Sequence, residues 1–395
     1  MIASMIAVTA SRLYTPLECL EQPVLLVDGD TIAQAGSQAT QEIPLGARTV
    51  DFGDAILAPG FVDIHIHGGA GHDVMNNDTA GLAAMENLLA SHGVTGYFPT
   101  TVTAPVDQTC SALERLALAI EDAEQDRIHP GARPLGIHLE GPFISHVRRG
   151  VHPPANLLPP TIEMFDRFWQ AARGRIRMMT IAPELEGGAE VIAQAARRGV
   201  CVSMGHSNAD LNETRAGVAA GARHCTHGFN AMRPLDHREP GIVGAMLTDS
   251  RLSADIIADG IHLDPSIVKL FLTAKGPELS VLITDATAAT GMPDGRYRLG
   301  SFEVEVKNGR CTADGKLAGS VLTMDRAVRN VMEFAGWNLQ QAVRLASINP
   351  ARVAGLSARG ELKAGRKADV VVLTGSGEVR ATMIGGAIRE KAAAK

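Results

Sequence analysis

The chain has 395 residues, of which 45% are hydrophobic, 20% charged and 4% aromatic, with 41 glycines, 20 prolines and a formal net charge of −6. That length suits an α/β barrel with a small accessory domain, and the composition excludes a disordered or fibrous protein. The acidic balance and the lack of a basic run argue against a nucleic-acid partner, and no apolar run nears the roughly 18–20 residues of a membrane span.

Met1–Ala10 is apolar but has no basic region before it, so it does not read as a secretory signal. Short strands follow: Val24–Val27, a hairpin turn at Asp28-Gly29-Asp30, and Thr31–Gln34. From about residue 56 the pattern alternates. Strand-like runs fall at Phe61–His67, Val94–Pro99, Leu135–Glu140, Arg177–Ala182, Val200–His206, His224–Asn230, Ala254–Ala258 and Val281–Asp285. Helix-like segments lie between most of them, at Thr79–Ser91, Pro105–Asp126, Thr161–Ala172, Gly188–Arg198, Asn208–Ala220 and Pro265–Lys275. Eight strands alternating with helices predict a (β/α)8 TIM barrel over residues 56–355. A β excursion is expected near 291–315, followed by helices at Thr323–Phe334 and Leu339–Ser347. Beyond 356 strands return, at Asp369–Leu373 and Val379–Ile384, so residues 1–55 and 356–395 are expected to pair into one small β-sandwich domain. The tail Lys391–Lys395 is featureless. The five cysteines are scattered and lack CxxC spacing, which suits reduced thiols in the cytoplasm; Cys201 and Cys225 are expected in the core.

His65 and His67 stand two apart at the end of the first barrel strand, and strand side chains at i and i+2 share a face. Taken alone, such a pair is either half of a metal site or two histidines that cap a strand. The other strands weigh against the second reading. Glu140 ends the third strand, His206 the fifth and Asp285 the eighth, while the sixth carries His227. Catalytic residues of such barrels collect at these strand ends. Imidazoles and carboxylates without thiolate suit Zn²⁺, Fe²⁺ or Mn²⁺ rather than Ca²⁺.

These residues and their surroundings resemble the amidohydrolase superfamily, and within it the N-acetylglucosamine-6-phosphate deacetylases. The likeness covers essentially the whole chain: Pro59-Gly-Phe-Val-Asp63, His138-Leu-Glu-Gly-Pro-Phe143, Gly205-His-Ser207, Phe229-Asn-Ala-Met232, Asp259-Gly-Ile-His262 and Leu317-Ala-Gly-Ser320. Many two-metal members of the superfamily bridge their ions with a lysine on the fourth strand. Arg177–Ala182 has none, so Glu140 takes that place, as in the deacetylases. The resemblance implies that His206, His227 and Glu140 hold one divalent metal. His65 and His67, with Glu140 bridging and Asp285 alongside, hold a second. The ion would be Zn²⁺ or Fe²⁺, with Mn²⁺ or Co²⁺ as alternatives, at one or two per subunit.

Asp285 is then expected to accept a proton from water and deliver it to the leaving amine; the alternative is a ligand without a proton-transfer role. His152 matches a family histidine near the scissile amide. Arg238 and His262, with the backbone at Asn230 and Ala231, match groups that bind a phosphate, and the arginine reaches in from a second subunit of a homodimer. His138 should share the face of Glu140 one layer deeper, and Gly228 should leave room in the pocket wall. The implied reaction is hydrolysis of the acetamide of N-acetyl-D-glucosamine 6-phosphate. Alternatives are the galactosamine epimer, a cyclic-amide or nucleobase amidohydrolase, and a non-catalytic scaffold that has lost its ligands.

Overall fold

The computed structural model describes residues 5–76, 79–126, 129 and 131–391, so parts of the apolar start and of the C-terminal tail lie outside the described residues. Both chain ends fold together as two sheets. One has four strands: Ile6–Thr9 runs antiparallel to Pro23–Asp28 and parallel to Arg48–Asp51, and Thr31–Ser37 completes the hairpin. Gly29 takes the left-handed conformation that this turn requires. The other sheet has six strands, ordered Ala387–Glu390, Val379–Ile384, Val370–Leu373, Ile56–Pro59, Arg12–Tyr14 and Cys19–Glu21. Val8, Leu25, Val27, Leu57, Val370 and Met383 pack into one apolar cluster between the sheets, which makes the pair a sandwich. Ile56–Pro59, assigned from sequence to the barrel, pairs instead with Val370–Leu373 and Arg12–Leu13. Its alternation is hidden because all four of its residues are buried.

Eight parallel strands then form the barrel: β1 (Phe61–Ile66), β2 (Val94–Thr101), β3 (Ile137–Glu140), β4 (Ile176–Ile181), β5 (Cys201–Met204), β6 (His224–Cys225), β7 (Ser253–Ile256) and β8 (Ser280–Leu282). The sheet closes from β8 to β1. Asp285 N–H donates to His65 O at 2.9 Å and His67 N–H to Ala286 O at 2.8 Å. Across this seam the buried Asp63 carboxylate accepts from the Thr284 hydroxyl at 2.5 Å.

Several strands stop earlier than the sequence suggests. β6 ends at Cys225 and β8 at Leu282, because His227 and Asp285 have already turned into left-handed conformations with φ of 32° and 51°. Besides the short Ile348–Val353, one helix absent from the sequence reading is Gly241–Thr248, which joins β6 to β7. It is apolar on nearly every face and holds two glycines, so it carries no amphipathic period to read. The β excursion is a four-stranded antiparallel sheet, Gly295–Leu299, Phe302–Lys307, Arg310–Ala313 and Lys316–Leu317, set slightly further along the chain than expected. Among the described residues no helix is long and apolar enough to cross a membrane. All five cysteines are free; Cys225 is buried and Cys201 only partly so.

Candidate active site

Below the barrel mouth a run of hydrogen bonds ties the strands to one another. His138 Nδ1 faces the Ile64 carbonyl at 3.0 Å, and a carbonyl can only accept, so Nδ1 carries the proton. His138 Nε2 therefore accepts from the Thr180 hydroxyl at 2.8 Å. Thr180 accepts in turn from Thr226 at 2.7 Å, and Thr226 from Ser203 at 2.5 Å. Burial holds His138 well below the ordinary histidine range and hence neutral, as this direction of donation requires. The layer above, where Glu140 sits, is thereby held by β1 and by β3 to β6.

Glu140 is the hub of that upper layer. Its Oε1 lies 3.2 Å from His227 Nε2, 3.3 Å from His206 Nε2 and 3.4 Å from His65 Nε2, and its Oε2 lies 3.3 Å from His67 Nε2. Two triangles of donor atoms share it. His206 Nε2 and His227 Nε2 are 3.1 Å apart. On the other side His65 Nε2 and His67 Nε2 are 3.3 Å apart, with Asp285 Oδ1 at 3.5 and 3.1 Å from them. Two ligands each about 2.0–2.1 Å from a tetrahedral ion lie roughly 3.3 Å from one another. The observed spacings match that figure.

The protonation states point to the same conclusion. His67 Nδ1 faces the Thr100 carbonyl and His206 Nδ1 the Arg148 carbonyl, each at 3.0 Å, so both Nδ1 atoms carry hydrogen. In the neutral rings the Nε2 lone pairs are then aimed at carboxylate oxygens. That arrangement is repulsive unless positive charge sits between them. Without a metal the charge comes from protons. Burial alone would lower His67, but Asp285 and Glu140 outweigh it and raise it well above its ordinary range. His227 is pushed up to about 9 against its own burial, mainly by Glu140. Burial would raise both carboxylates, yet the histidines hold Glu140 well below its usual range and Asp285 at about 2. The residues therefore fit a divalent cation by donor type, spacing and charge.

His152 plays a different part. Thr103 N–H donates to its Nδ1 at 3.3 Å, with the Thr103 hydroxyl at 2.7 Å, so its hydrogen is on Nε2, 3.7 Å from Glu140 Oε2. Burial, then the charge of His206, holds it at about 3, so it is a neutral N–H donor facing the cavity.

A cavity of about 220 Å³ opens over this centre. It is lined by His67, Glu140, His152, His206, His227 and Asp285, and also by Asn230, Ala231 and His262. Asp259 fixes His262, accepting from its ring Nδ1 at 2.7 Å and from its backbone N–H at 2.7 Å. His65 lies just beneath, fully buried. Arg238 does not line the cavity; it sits on an exposed loop beside Arg148, Asn208 and Arg233. The wall at Gly228 is not loose, because a Cβ there would lie 2.8 Å from Met246 Sδ, and that side chain fills the room.

Several contributors escaped the sequence reading. Asp255 accepts the His227 backbone N–H and the His224 ring, and so holds His227 in its left-handed turn. Thr100, Thr103 and the Arg148 carbonyl orient rings, and Val102 and Leu299 line the cavity. Only the polar residue beside each apolar run carried a local signal.

Comparison with known proteins agrees with this geometry. Residues 56–389 match the Amidohydrolase family. An N-acetylgalactosamine-6-phosphate deacetylase of Escherichia coli O157:H7 is 40% identical over 92% of this chain and 94% of its own. An N-acetylglucosamine-6-phosphate deacetylase of Bos taurus is 41% identical, over 85% of this chain and 84% of its own. The N-acetyl-D-glucosamine-6-phosphate deacetylase of Mycobacterium smegmatis, solved as a mutant in complex with N-acetyl-D-glucosamine-6-phosphate, superposes with a TM-score of 0.90. It is 37% identical, and the match covers 98% of this chain and 99% of that one. The chain belongs to the amidohydrolase family.

Proposed function

We propose that this amidohydrolase cleaves the acetamide of N-acetyl-D-glucosamine 6-phosphate, giving glucosamine 6-phosphate and acetate in amino-sugar catabolism. The observation that carries the reading is the pair of donor triangles sharing Glu140, set at the floor of a cavity that also holds His152, Asn230, Ala231 and His262. The relatives named above support the substrate class.

His206, His227 and Glu140 would hold one ion; His65, His67 and Asp285, with Glu140 in reach of both, would hold a second. Zn²⁺ and Fe²⁺ suit the donors, as do Mn²⁺ and Co²⁺. A bound divalent ion polarises a carbonyl and lowers the pKa of water to about 7. Asp285, ionised throughout the neutral range, accepts the proton of the attacking water. As the C–N bond breaks, it returns that proton to the amine nitrogen, which leaves as a neutral amine. His152 donates its Nε2–H beside the scissile amide. His262 and the backbone at Asn230 and Ala231 receive the phosphate. Arg238 completes that subsite from the second subunit of a homodimer, a role supported by its exposed position away from its own cavity. The enzyme works in the cytoplasm, where free cysteines stay reduced.

The galactosamine 6-phosphate epimer is the second reading, favoured by the long match to the Escherichia coli enzyme. The test is acetate release by metal-loaded protein from both epimers and from unphosphorylated N-acetylglucosamine. A higher kcat/KM for the galactosamine epimer replaces the first reading by the second. Equal activity without the phosphate removes the phosphosugar assignment altogether.

A further inference from the structure

The cavity has two unlike sides. Over β6 and β7 it presents Asn230, Ala231 and His262, with Ile257 as its one large apolar side chain. Over β8 and β2 it presents Leu299, Ala318 and Val102, joined by Val151 from the segment after β3. These four belong to a single apolar cluster that also contains the core of the inserted sheet. Leu299 is 2% exposed and Val102 also 2%, so the wall is continuous with packed protein.

Leu299 is held firmly. Gly300, which follows it, has φ of 58° and donates its N–H to Asp73 Oδ2 at 2.8 Å. The Gly300 carbonyl accepts from Asn76 Nδ2 at 2.9 Å. A Cβ on Gly300 would lie 2.4 Å from Val102 Cγ1. The corner of the inserted hairpin is thus clamped to the loop that follows the histidine pair and pressed on Val102. It is a fixed wall, not a swinging flap.

The wall also begins at the reacting centre. Gly319, next to Ala318, comes so close to Asp285 that a Cβ there would lie 2.9 Å from the Asp285 carbonyl oxygen. Val102 lies two residues beyond Thr100, whose carbonyl orients His67. The one alkyl group of the substrate is the acyl methyl, a single bond from the carbon under attack. With the phosphate on the side of His262, the larger apolar surface, on the side of Leu299, is the one that fits that methyl.

We propose that Leu299, Val102, Val151 and Ala318 form the acyl subsite and that Leu299 sets the acyl length at two carbons. This inference rests on the deacetylase reading and goes one step beyond it. A pocket closed against one methylene discriminates by roughly 10–200-fold. Shortening Leu299 opens room for about one or two carbons.

The experiment compares kcat/KM of the metal-loaded enzyme for the N-acetyl, N-propionyl and N-butanoyl forms of glucosamine 6-phosphate. Wild-type protein should prefer acetyl to propionyl by about tenfold or more. Leu299→Ala should lower that preference by about tenfold or more, and Leu299→Met should restore the wild-type order. The ratio does not depend on how much of a variant is folded. If Leu299→Ala cannot be obtained, Val151→Ala, at a half-buried position, reads the same wall. Acetate release by the wild type with an unchanged acyl ratio in these variants overturns the inference alone. Acetate release from neither epimer overturns the deacetylase reading and the inference with it.

Discussion

Asp285→Asn separates the charge and proton of this side chain from its shape. The backbone bonds of Asp285 are untouched by the change: its N–H still donates to His65 O, and its carbonyl still accepts from Ser320 N–H at 2.7 Å. The barrel seam should therefore close as before. His206, His227 and Glu140 keep their mutual spacing of 3.1–3.3 Å, so at least one ion per chain should remain. What disappears is a carboxylate held at about 2 by its histidines. General acid–base catalysis contributes about 10²–10⁴-fold. The expected loss in kcat is of that size, about 2.7–5.5 kcal/mol of barrier. Binding of glucosamine 6-phosphate, measured by calorimetry, should change little. Acetate release gives kcat and emission spectrometry gives metal content. A kcat within about threefold of wild type, with metal retained, would refute the proton-transfer role. Joint loss of metal and turnover would leave Asp285 as a ligand only.

Three further outcomes follow from the same geometry. His65→Asn with His67→Asn should reduce the metal content to one ion per chain without emptying the site, since the His206–His227–Glu140 triangle does not depend on the pair; metal-free protein would contradict this. In metal-free protein the raised His67 and His227 stabilise the fold fully below the unfolded histidine value of about 6.5. That stability is lost as pH rises, for His227 through about 9, while the depressed Asp285 loses its contribution as pH falls toward about 2. Below about 6.5 the buried His138 and His152 work the other way, since they stay neutral in the fold and take up protons on unfolding. Urea titrations should therefore place the stability maximum of the apo form near about pH 6.5, and metal binding near pH 7 should release protons in calorimetry; a flat profile with no proton release would refute the charge pattern. Asp255→Ala leaves the buried His227 N–H and His224 ring without an acceptor and should cost about 2–4 kcal/mol, whereas Asp255→Asn lets His224 change tautomer and should cost about 1 kcal/mol or less; equal losses would show that these bonds do not hold the turn.

Much of the barrel was legible because each strand is a short apolar run between helical periods, and because a polar residue at its end breaks the rule that such runs are buried and apolar. His65, His67, Glu140, His206, His227 and Asp285 all declare themselves in this way, and the cavity gathers five of them on its surface with His65 directly below. Residues whose work depends on distant partners were not legible. Asp255 reads as one polar position in an ordinary strand; its value lies in contacts with residues 28 and 31 positions away. The alternation around Leu299 identifies a strand. Its clamp comes from Asp73 and Asn76, more than 220 positions earlier. Arg238 is legible as a residue type, but its place, an exposed loop away from the cavity, is not.

The strand ends show why local pattern and final geometry part company at the site itself. Side chains on a regular strand alternate between faces, so a continued β6 would turn His227 with its neighbours and could not also present Asn230 and Ala231 to the same cavity. The chain instead leaves the strand and passes through left-handed conformations at His227, Phe229 and Ala231, as it does at His206 and Asp285. Such conformations cost of order 1 kcal/mol or more for each non-glycine residue, and they persist where surrounding bonds over-determine them. Here those bonds are identifiable: Asp255 on His227 N–H, the Ala231 carbonyl on Ser207 N–H, and the His65 and Ser320 backbones on Asp285. Each joins one strand end to the next around the mouth. The strain that shortens the strands is thus the same feature that points the nitrogen and oxygen atoms of different strands at one point.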